Sequence, residues 1–275
     1  MTQIAVLAST ALGAAVRDRW FVVIGGAFCA LTLGASALAL VGTDVIGFSA
    51  FDRTAGTLIG LTLLFIPLLA LTIGAGWLAA RRESGALGLV LAQPVSRAQV
   101  FVGEYLGVAA ALIGASATGF GLAAGVLSFR VGPERLAAYL ALVALSMLLA
   151  LAVLGLGFLV SARAPTHSRA LGLGVVLWLA LVVLSDLGIL GLAVSAQLGA
   201  RGVFWLTMAN PVDVFRIAAI LMVVHSPDLT GPVGMYATSR FGETGTVGLL
   251  LAALAGWIAV SFTAGLVLFC LRREP

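Results

Sequence analysis

The sequence predicts an all-α integral membrane protein with six transmembrane helices per subunit. The first observation is composition: 61% of the 275 residues are hydrophobic and only 9% are charged, whereas soluble domains carry about 25% charged residues. The second is pattern. The apolar residues form continuous runs of about 20 residues or more, which is the length that ~30 Å of hydrocarbon requires. The alternating pattern of a membrane β-barrel is absent from these runs.

We assign residues 1–275 to a single transmembrane domain. It begins with an interfacial helix at 1–19, where Arg17 and Trp20 form the basic and aromatic edge typical of a membrane interface. Pro67 inside the second span predicts a kink near Ile66, because proline removes a backbone donor. The six spans are expected at about 20–41, 58–80, 100–128, 136–161, 170–190 and 247–271.

The charged residues and cysteines exclude several classes of protein. All fifteen basic residues are arginine, so the lysine of a phosphate-binding GxxxxGK[ST] loop is missing and the chain is not itself a nucleotide hydrolase of that class. Cys29 and Cys270 lie in separate apolar runs and form no CxxC pair. The net charge of +4 is too small and too dispersed to indicate nucleic acid binding.

The distribution of arginines predicts the orientation in a bacterial inner (plasma) membrane. Six spans place both termini on one side, and the arginines on that side lie close to span ends, where the positive-inside rule applies best. We therefore expect both termini to be cytoplasmic. The arginines on that side are Arg17, Arg19, Arg81, Arg82, Arg97, Arg163, Arg169, Arg272 and Arg273; those on the other are Arg53, Arg130, Arg135, Arg201, Arg216 and Arg240.

The segment 81–97 predicts a short helix across the cytoplasmic mouth of spans two and three. Leu87, Val90 and Leu91 have helical spacing and would form one apolar face. Pro94 ends this helix. Ser96 followed by Gln99 is a capping box for the next helix. An ordinary well-capped cytoplasmic turn would show the same features.

The external segment 199–245 contains a second helix start. Asn210 is a helix cap, Pro211 occupies the first helical position and Asp213 the first turn. Val212, Phe215, Ala219 and Met222 share one face. We expect an amphipathic helix that lies on the membrane or against a partner.

Three further features could carry function. Asp186 is placed near the far membrane interface, where it is either a functional acid or a structural cap. Met222 and His225 have side chains that bind soft metals. Two residues do not make a site, so no metal site is predicted. No catalytic residue is predicted either. The glycine pairs Gly103/Gly107 and Gly121/Gly125 have the GxxxG spacing of close helix packing.

The segment 81–97 resembles the cytoplasmic loop of ABC-2-type transporter permeases, through Glu83, Gly85, Leu87, Pro94, Ser96, Arg97 and Gly103. Glu104 departs from the pattern, since a basic residue often follows that glycine. Three further stretches resemble the NosY-type permeases of the nitrous oxide reductase maturation system: Arg17-Asp18-Arg19-Trp20, Trp178 with Ser185-Asp186-Leu187-Gly188, and Asn210-Pro211-Val212-Asp213-Val214-Phe215-Arg216.

The resemblance implies a homodimeric permease that binds a separate cytoplasmic ABC ATPase and a periplasmic copper-handling protein. ATP and Mg²⁺ would be bound by that ATPase, with no cofactor in this chain. The implied ATPase-coupling residues are Glu83, Gly85, Leu87, Leu91, Pro94, Ser96 and Arg97; the implied periplasmic contact is Asn210, Pro211, Val212, Asp213, Phe215 and Arg216.

The function predicted from the resemblance is coupling of ATP hydrolysis to export or to conformational work on the periplasmic partner, in copper-site assembly of nitrous oxide reductase. The alternatives are a generic ABC-2 exporter of unknown cargo and an ion-coupled secondary transporter that uses Asp186. An intramembrane enzyme would need a convergent nucleophile or metal set, and the sequence offers none.

Overall fold

A computed structural model describes residues 3–41, 50–127, 133–184, 199–224 and 230–272. Every regular element in these ranges is a helix. Two π-helical segments, Ala180–Leu184 and Ile220–Val224, directly continue the helices that precede them. The helices are α1 (Gln3–Val16), α2 (Arg19–Val41), α3 (Ala50–Glu83), α4 (Ala86–Leu91), α5 (Arg97–Leu127), α6 (Pro133–Arg163), α7 (His167–Leu179), α8 (Ala200–Met208), α9 (Pro211–Ala219) and α10 (Gly231–Leu271).

Six helices are long and apolar enough to cross a membrane: α2, α3, α5, α6, α10, and α7 together with its π-helical continuation to Leu184. The predicted all-α membrane fold is therefore confirmed. Two spans start earlier than expected: α3 begins at Ala50 rather than at 58, and α10 begins at Gly231 rather than at 247. A helix keeps its backbone hydrogen bonds beyond the apolar region, so hydropathy alone does not show where it starts. The α10 helix breaks at Gly242, where a φ of 73° favours glycine.

Both ends of the chain lie at the same end of the helix bundle. The Gln3 side chain donates to the Pro94 carbonyl (3.1 Å), which places the start of α1 beside the segment after α4. The Arg272 guanidinium donates to the Ala162 carbonyl (2.9 Å), which places the last residues of α10 beside the end of α6. We call this the termini end and the other the opposite end.

Glycines allow the closest helix contacts in the bundle. A Cβ on Gly157 of α6 would lie 3.0 Å from the Gly74 Cα of α3. The predicted pair Gly103/Gly107 is a true packing face, because a Cβ on either glycine would overlap α1. Nothing lies within 4 Å of such a Cβ on Gly121 or Gly125, so a side chain at either position would meet open space.

Helices α8 and α9 form a hairpin that enters the bundle and turns back. They are bent by 113° at their junction, and Phe204 of α8 contacts Tyr236 and Phe241 near the start of α10. At the turn, the Trp257 indole donates to the Met208 carbonyl (3.1 Å). Trp257 lies about 21 Å from the termini end of α10 at ~1.5 Å per residue, so the turn lies inside the membrane-spanning part of the bundle.

This hairpin corrects one prediction from the sequence. The amphipathic helix after Asn210 was expected on the membrane surface or against a partner. Instead its residues are buried inside this chain, and it packs against α3, α6 and α10. The apolar face is real, but the protein's own helices cover it.

Candidate functional site

Helix α4 is attached to the bundle by one face and exposed on the other. It starts after Gly85, whose φ of 74° is a left-handed conformation that favours glycine. Leu87 is 2% exposed and belongs to the core, and Val90 and Leu91 pack against that core. Leu89 points away and is 74% exposed. Leu87 and Leu91 were predicted as coupling residues and Leu89 was not, although its place between them already puts it on the other face of the helix.

The chain after α4 folds as the sequence predicts. The Gln99 N–H donates to Ser96 Oγ (3.2 Å) and the Ser96 N–H donates to Gln99 Oε1 (2.8 Å), so the capping box is confirmed. Pro94 is exposed in the short connection. The Arg97 side chain donates to the Arg272 carbonyl, which ties the start of α5 to the end of α10.

Glu83 connects α3 with α7. Its carboxylate accepts a hydrogen bond from the His167 backbone N–H (2.9 Å) at the start of α7. The Thr166 side chain makes no capping bond at this helix start, so the distant glutamate does so. A negative charge at a helix N-terminus is favourable because the helix dipole is positive there.

Glu104 on α5 is at the centre of a second connection, to α3. Its side chain is 1% exposed and pairs with Arg81. The Trp77 indole donates to its Oε2 (2.7 Å), and the Arg81 guanidinium lies 5.0 Å above the Trp77 ring. From the sequence, Glu104 was noted only because a basic residue often follows Gly103 in the resembled permeases. An acid within an apolar run, with Trp77 and Arg81 one helical turn apart on the neighbouring span, was the signal that could have identified it.

Two arginines at the termini end bind the last carbonyls of α6. Arg82 donates to the Ala164 carbonyl (3.0 Å) and Arg272 to the Ala162 carbonyl (2.9 Å). The final carbonyls of a helix have no partner within the helix, and cations there are favoured by the dipole. Together with Glu83, Arg97 and Glu104, these arginines join the ends of α3, α5, α6, α7 and α10 around α4.

The turn of the hairpin carries a second polar cluster. The Val212 N–H donates to Asn210 Oδ1 (2.9 Å), which confirms the predicted cap. The Asn210 amide donates to Asp213 Oδ2 (2.8 Å) and to the Leu181 carbonyl (2.7 Å) in the π-helical segment after α7. Asp213 Oδ1 lies 3.6 Å from Arg216 Nη1.

The predicted periplasmic contact residues are therefore used inside the subunit. Asn210, Pro211, Val212, Asp213 and Phe215 are all buried, and only Arg216 is partly exposed. A partner cannot reach Val212 or Phe215 while the hairpin is packed inside the bundle. The prediction of an exposed apolar face at this helix was therefore wrong.

The remaining candidates are dispersed. Asp186 and His225 lie outside the described residues. Met222 is half-buried in the π-helical segment after α9. Among the residues that the structure describes, no three His, Cys, Asp or Glu side chains are grouped closely enough to hold a metal ion.

Comparison with known proteins identifies the family. The chain matches the family "ABC-2 family transporter protein" over residues 5–273. It is 30% identical over 280 residues to "Probable ABC transporter permease protein NosY" of Pseudomonas aeruginosa, covering 98% of each chain. It is 26% identical over 275 residues to the protein of the same name from Stutzerimonas stutzeri, again covering 98% of each. The resemblance seen in the sequence is confirmed, and this multi-pass membrane protein belongs to the ABC-2 family of transporter permeases.

Proposed function

We propose that this permease subunit binds a separate cytoplasmic ABC ATPase through α4, and that ATP and Mg²⁺ are bound by that ATPase. The observation that carries the proposal is the geometry of α4. A helix anchored by Leu87 presents Leu89, 74% exposed, at the end of the bundle where the arginines cluster. An exposed leucine on a rigidly held helix gains free energy when a groove of a partner buries it.

The connections around α4 provide a route by which motion of the ATPase would reach the rest of the subunit. Pressure on α4 acts on α3 and α5, which the Arg81–Glu104 pair joins. Glu83 would transmit the displacement to α7 through His167. The Leu181 carbonyl, in the π-helical segment after α7, accepts a hydrogen bond from Asn210 in the hairpin. Packed helices that shift as rigid bodies are a common means of such transmission.

The orientation that this requires has the termini end in the cytoplasm of a bacterial inner membrane. Its support is the positive-inside rule. Arg82, Arg97 and Arg272 lie at the termini end, bonded to carbonyls of the neighbouring helices.

From the likeness to the NosY permeases we propose further that the protein works as a homodimer with a periplasmic copper-handling protein, in copper-site assembly of nitrous oxide reductase. The buried hairpin moves the expected contact away from Val212 and Phe215. Trp205, Met235 and Phe241 are exposed apolar residues on α8 and on the first part of α10, and their position at the opposite end suits a periplasmic partner. The generic exporter of unknown cargo is the competing function.

The α4 proposal is tested by co-purification with the co-expressed ATPase. We expect Leu89→Asn to reduce the recovered ATPase about tenfold or more, because a leucine buried in an interface contributes roughly 1.5–3 kcal/mol. Leu271→Asn is the matched control, since Leu271 is equally exposed (75%) at the same end. Undiminished recovery with Leu89→Asn, or an equal loss with both variants, would contradict docking through α4.

Mass spectrometry of proteins that co-purify from native membranes separates the two functions. Recovery of the ATPase together with a periplasmic copper-binding protein supports the maturation complex. Recovery of the ATPase alone supports a generic exporter, and the absence of any ATPase would contradict both.

A further inference from the structure

A cavity of about 250 Å³ lies at the termini end, between the α1–α2 connection and helices α3 and α7. The proposed coupling uses contacts of two lining residues, Arg81 and His167, but not the cavity itself. Asp18 and Trp20 line it on the α1–α2 side, and Trp77, Arg81 and His167 line it on the α3 and α7 sides. The cavity is smaller than the ~300–1,000 Å³ typical of drug-sized ligands. It has room for several water molecules of ~30 Å³ each, or for a compact polar group.

The polar groups of this cavity have opposite charges on different walls. The Asp18 carboxylate is fixed in place because its Oδ1 accepts from the Phe21 N–H (3.1 Å) at the start of α2. Arg81 faces the cavity from α3; a guanidinium has five N–H donors, so its pairing with Glu104 leaves capacity for another acceptor. The His167 ring is positioned by Nδ1, which lies 3.2 Å from the Gly76 carbonyl.

The position of the cavity along α3 matches the membrane interface. Its lining extends from Arg81 back to Thr72, a distance of about 14 Å at ~1.5 Å per residue. It therefore runs from the charged end of the span into the apolar region. Trp20 is 61% exposed at its edge, and tryptophan is enriched at the level of lipid headgroups. A ligand here would have a polar head and an apolar continuation.

We infer that this cavity binds the zwitterionic headgroup of an aminophospholipid, phosphatidylethanolamine. The phosphate lies against Arg81, since charge-assisted hydrogen bonds to phosphate are strong and Arg suits them, and the His167 ring forms the adjoining wall. The primary ammonium donates to the Asp18 carboxylate. A purely anionic headgroup would be repelled by Asp18, and a quaternary ammonium has no N–H to donate to it. The inference does not depend on the proposed ATPase contact.

The test is native mass spectrometry of the full-length protein, released from nanodiscs of equal phosphatidylethanolamine, phosphatidylcholine and phosphatidylglycerol. We expect phosphatidylethanolamine to be retained about fivefold above each of the others, the effect of one ion pair at an interface. Asp18→Asn should abolish the preference while it preserves the cap of α2, because Asn and Asp cap helices equally well. Thermal unfolding of this variant checks that the fold is intact.

A second pair of variants keeps the inference testable if Asp18→Asn does not fold. Trp20→Leu should reduce retention of phosphatidylethanolamine, and Trp205→Leu, a tryptophan of similar exposure (55%) elsewhere, should not. Lipid adducts in proportion to the nanodisc composition, or equal retention of phosphatidylcholine, would overturn the inference. Binding of soluble O-phosphoethanolamine in lipid-free detergent as tightly as phosphatidylethanolamine would overturn the assignment to a lipid.

Discussion

Helices α4 and α9 are two short helices with similar sequence signals and opposite surroundings. Each carries an apolar face and has a proline close by, since Pro94 follows α4 and Pro211 begins α9. Yet α4 leaves Leu89 exposed at the end of the bundle, whereas Phe215 of α9 is completely buried within it. Amphipathic spacing therefore predicts a helix and its apolar face. Whether lipid, a partner or the chain itself covers that face depends on the helices packed around it.

The polar contacts of the two regions differ in the same way. Around α4, charged side chains from several helices bind helix ends, as Glu83 does for α7. In the hairpin the described polar contacts lie at the turn: Asn210 and Asp213 belong to one helix start, and hydrogen bonds join the turn to Leu181 and Trp257. We therefore expect the α4 region to be sensitive to loss of charge and the hairpin to loss of packing.

The largest expected effect tests the burial directly. Phe215→Ala should lower the free energy of unfolding by about 3–5 kcal/mol, because it leaves a cavity in a packed core, and Leu89→Ala should change it by less than about 0.5 kcal/mol. Thermal unfolding of the purified protein in detergent measures both. Unchanged stability with Phe215→Ala would mean that α9 is exposed and that the comparison fails.

The next effect concerns the buried acid beside α4. Glu104→Ala should destabilise the protein by about 3 kcal/mol, because Trp77 and Arg81 lose their acceptor and removing one partner of a buried pair is costly. The control is Glu243→Ala, since Glu243 is an exposed acid on α10. Denaturation monitored by tryptophan fluorescence would show the difference. Equal stability of the two variants would indicate that the Arg81–Glu104 pair does not hold α3 to α5.

The smallest effects separate the two helix caps. Asn210→Ala should cost about 2 kcal/mol, since it removes a buried cap and leaves the partly buried Leu181 carbonyl without this donor. Ser96→Ala, at an exposed cap, should cost about 1 kcal/mol or less. Melting temperatures of the two variants give the ranking. A larger loss for Ser96→Ala would reverse the contrast between the regions.

Much of the fold could be predicted because its signals are local. The spans follow from long apolar runs, and the caps at Ser96 and Asn210 follow from residues three or fewer positions apart. The part of α10 before its break at Gly242 could not be predicted, since residues 231–246 are too polar to resemble a span.

The candidate site was predicted in part. Ser96 and Gln99 form the predicted capping box, and Leu87 belongs to the predicted apolar face. The helix start at Gly85 was not predicted. Leu89 and Glu104 were missed. The exposure of Leu89 depends on how α4 is seated, and the partners of Glu104 lie on another span.

The sequence by itself determined the membrane class, the six spans, the helix caps and the likeness to ABC-2 permeases. Each of these depends on composition or on residues close together in the chain. Only the tertiary structure decided that α9 is buried, that Glu83 caps α7 and that Glu104 binds Trp77 and Arg81. Those contacts join residues far apart in sequence, and helical periodicity records which face of a helix is apolar but not which other helix it will meet.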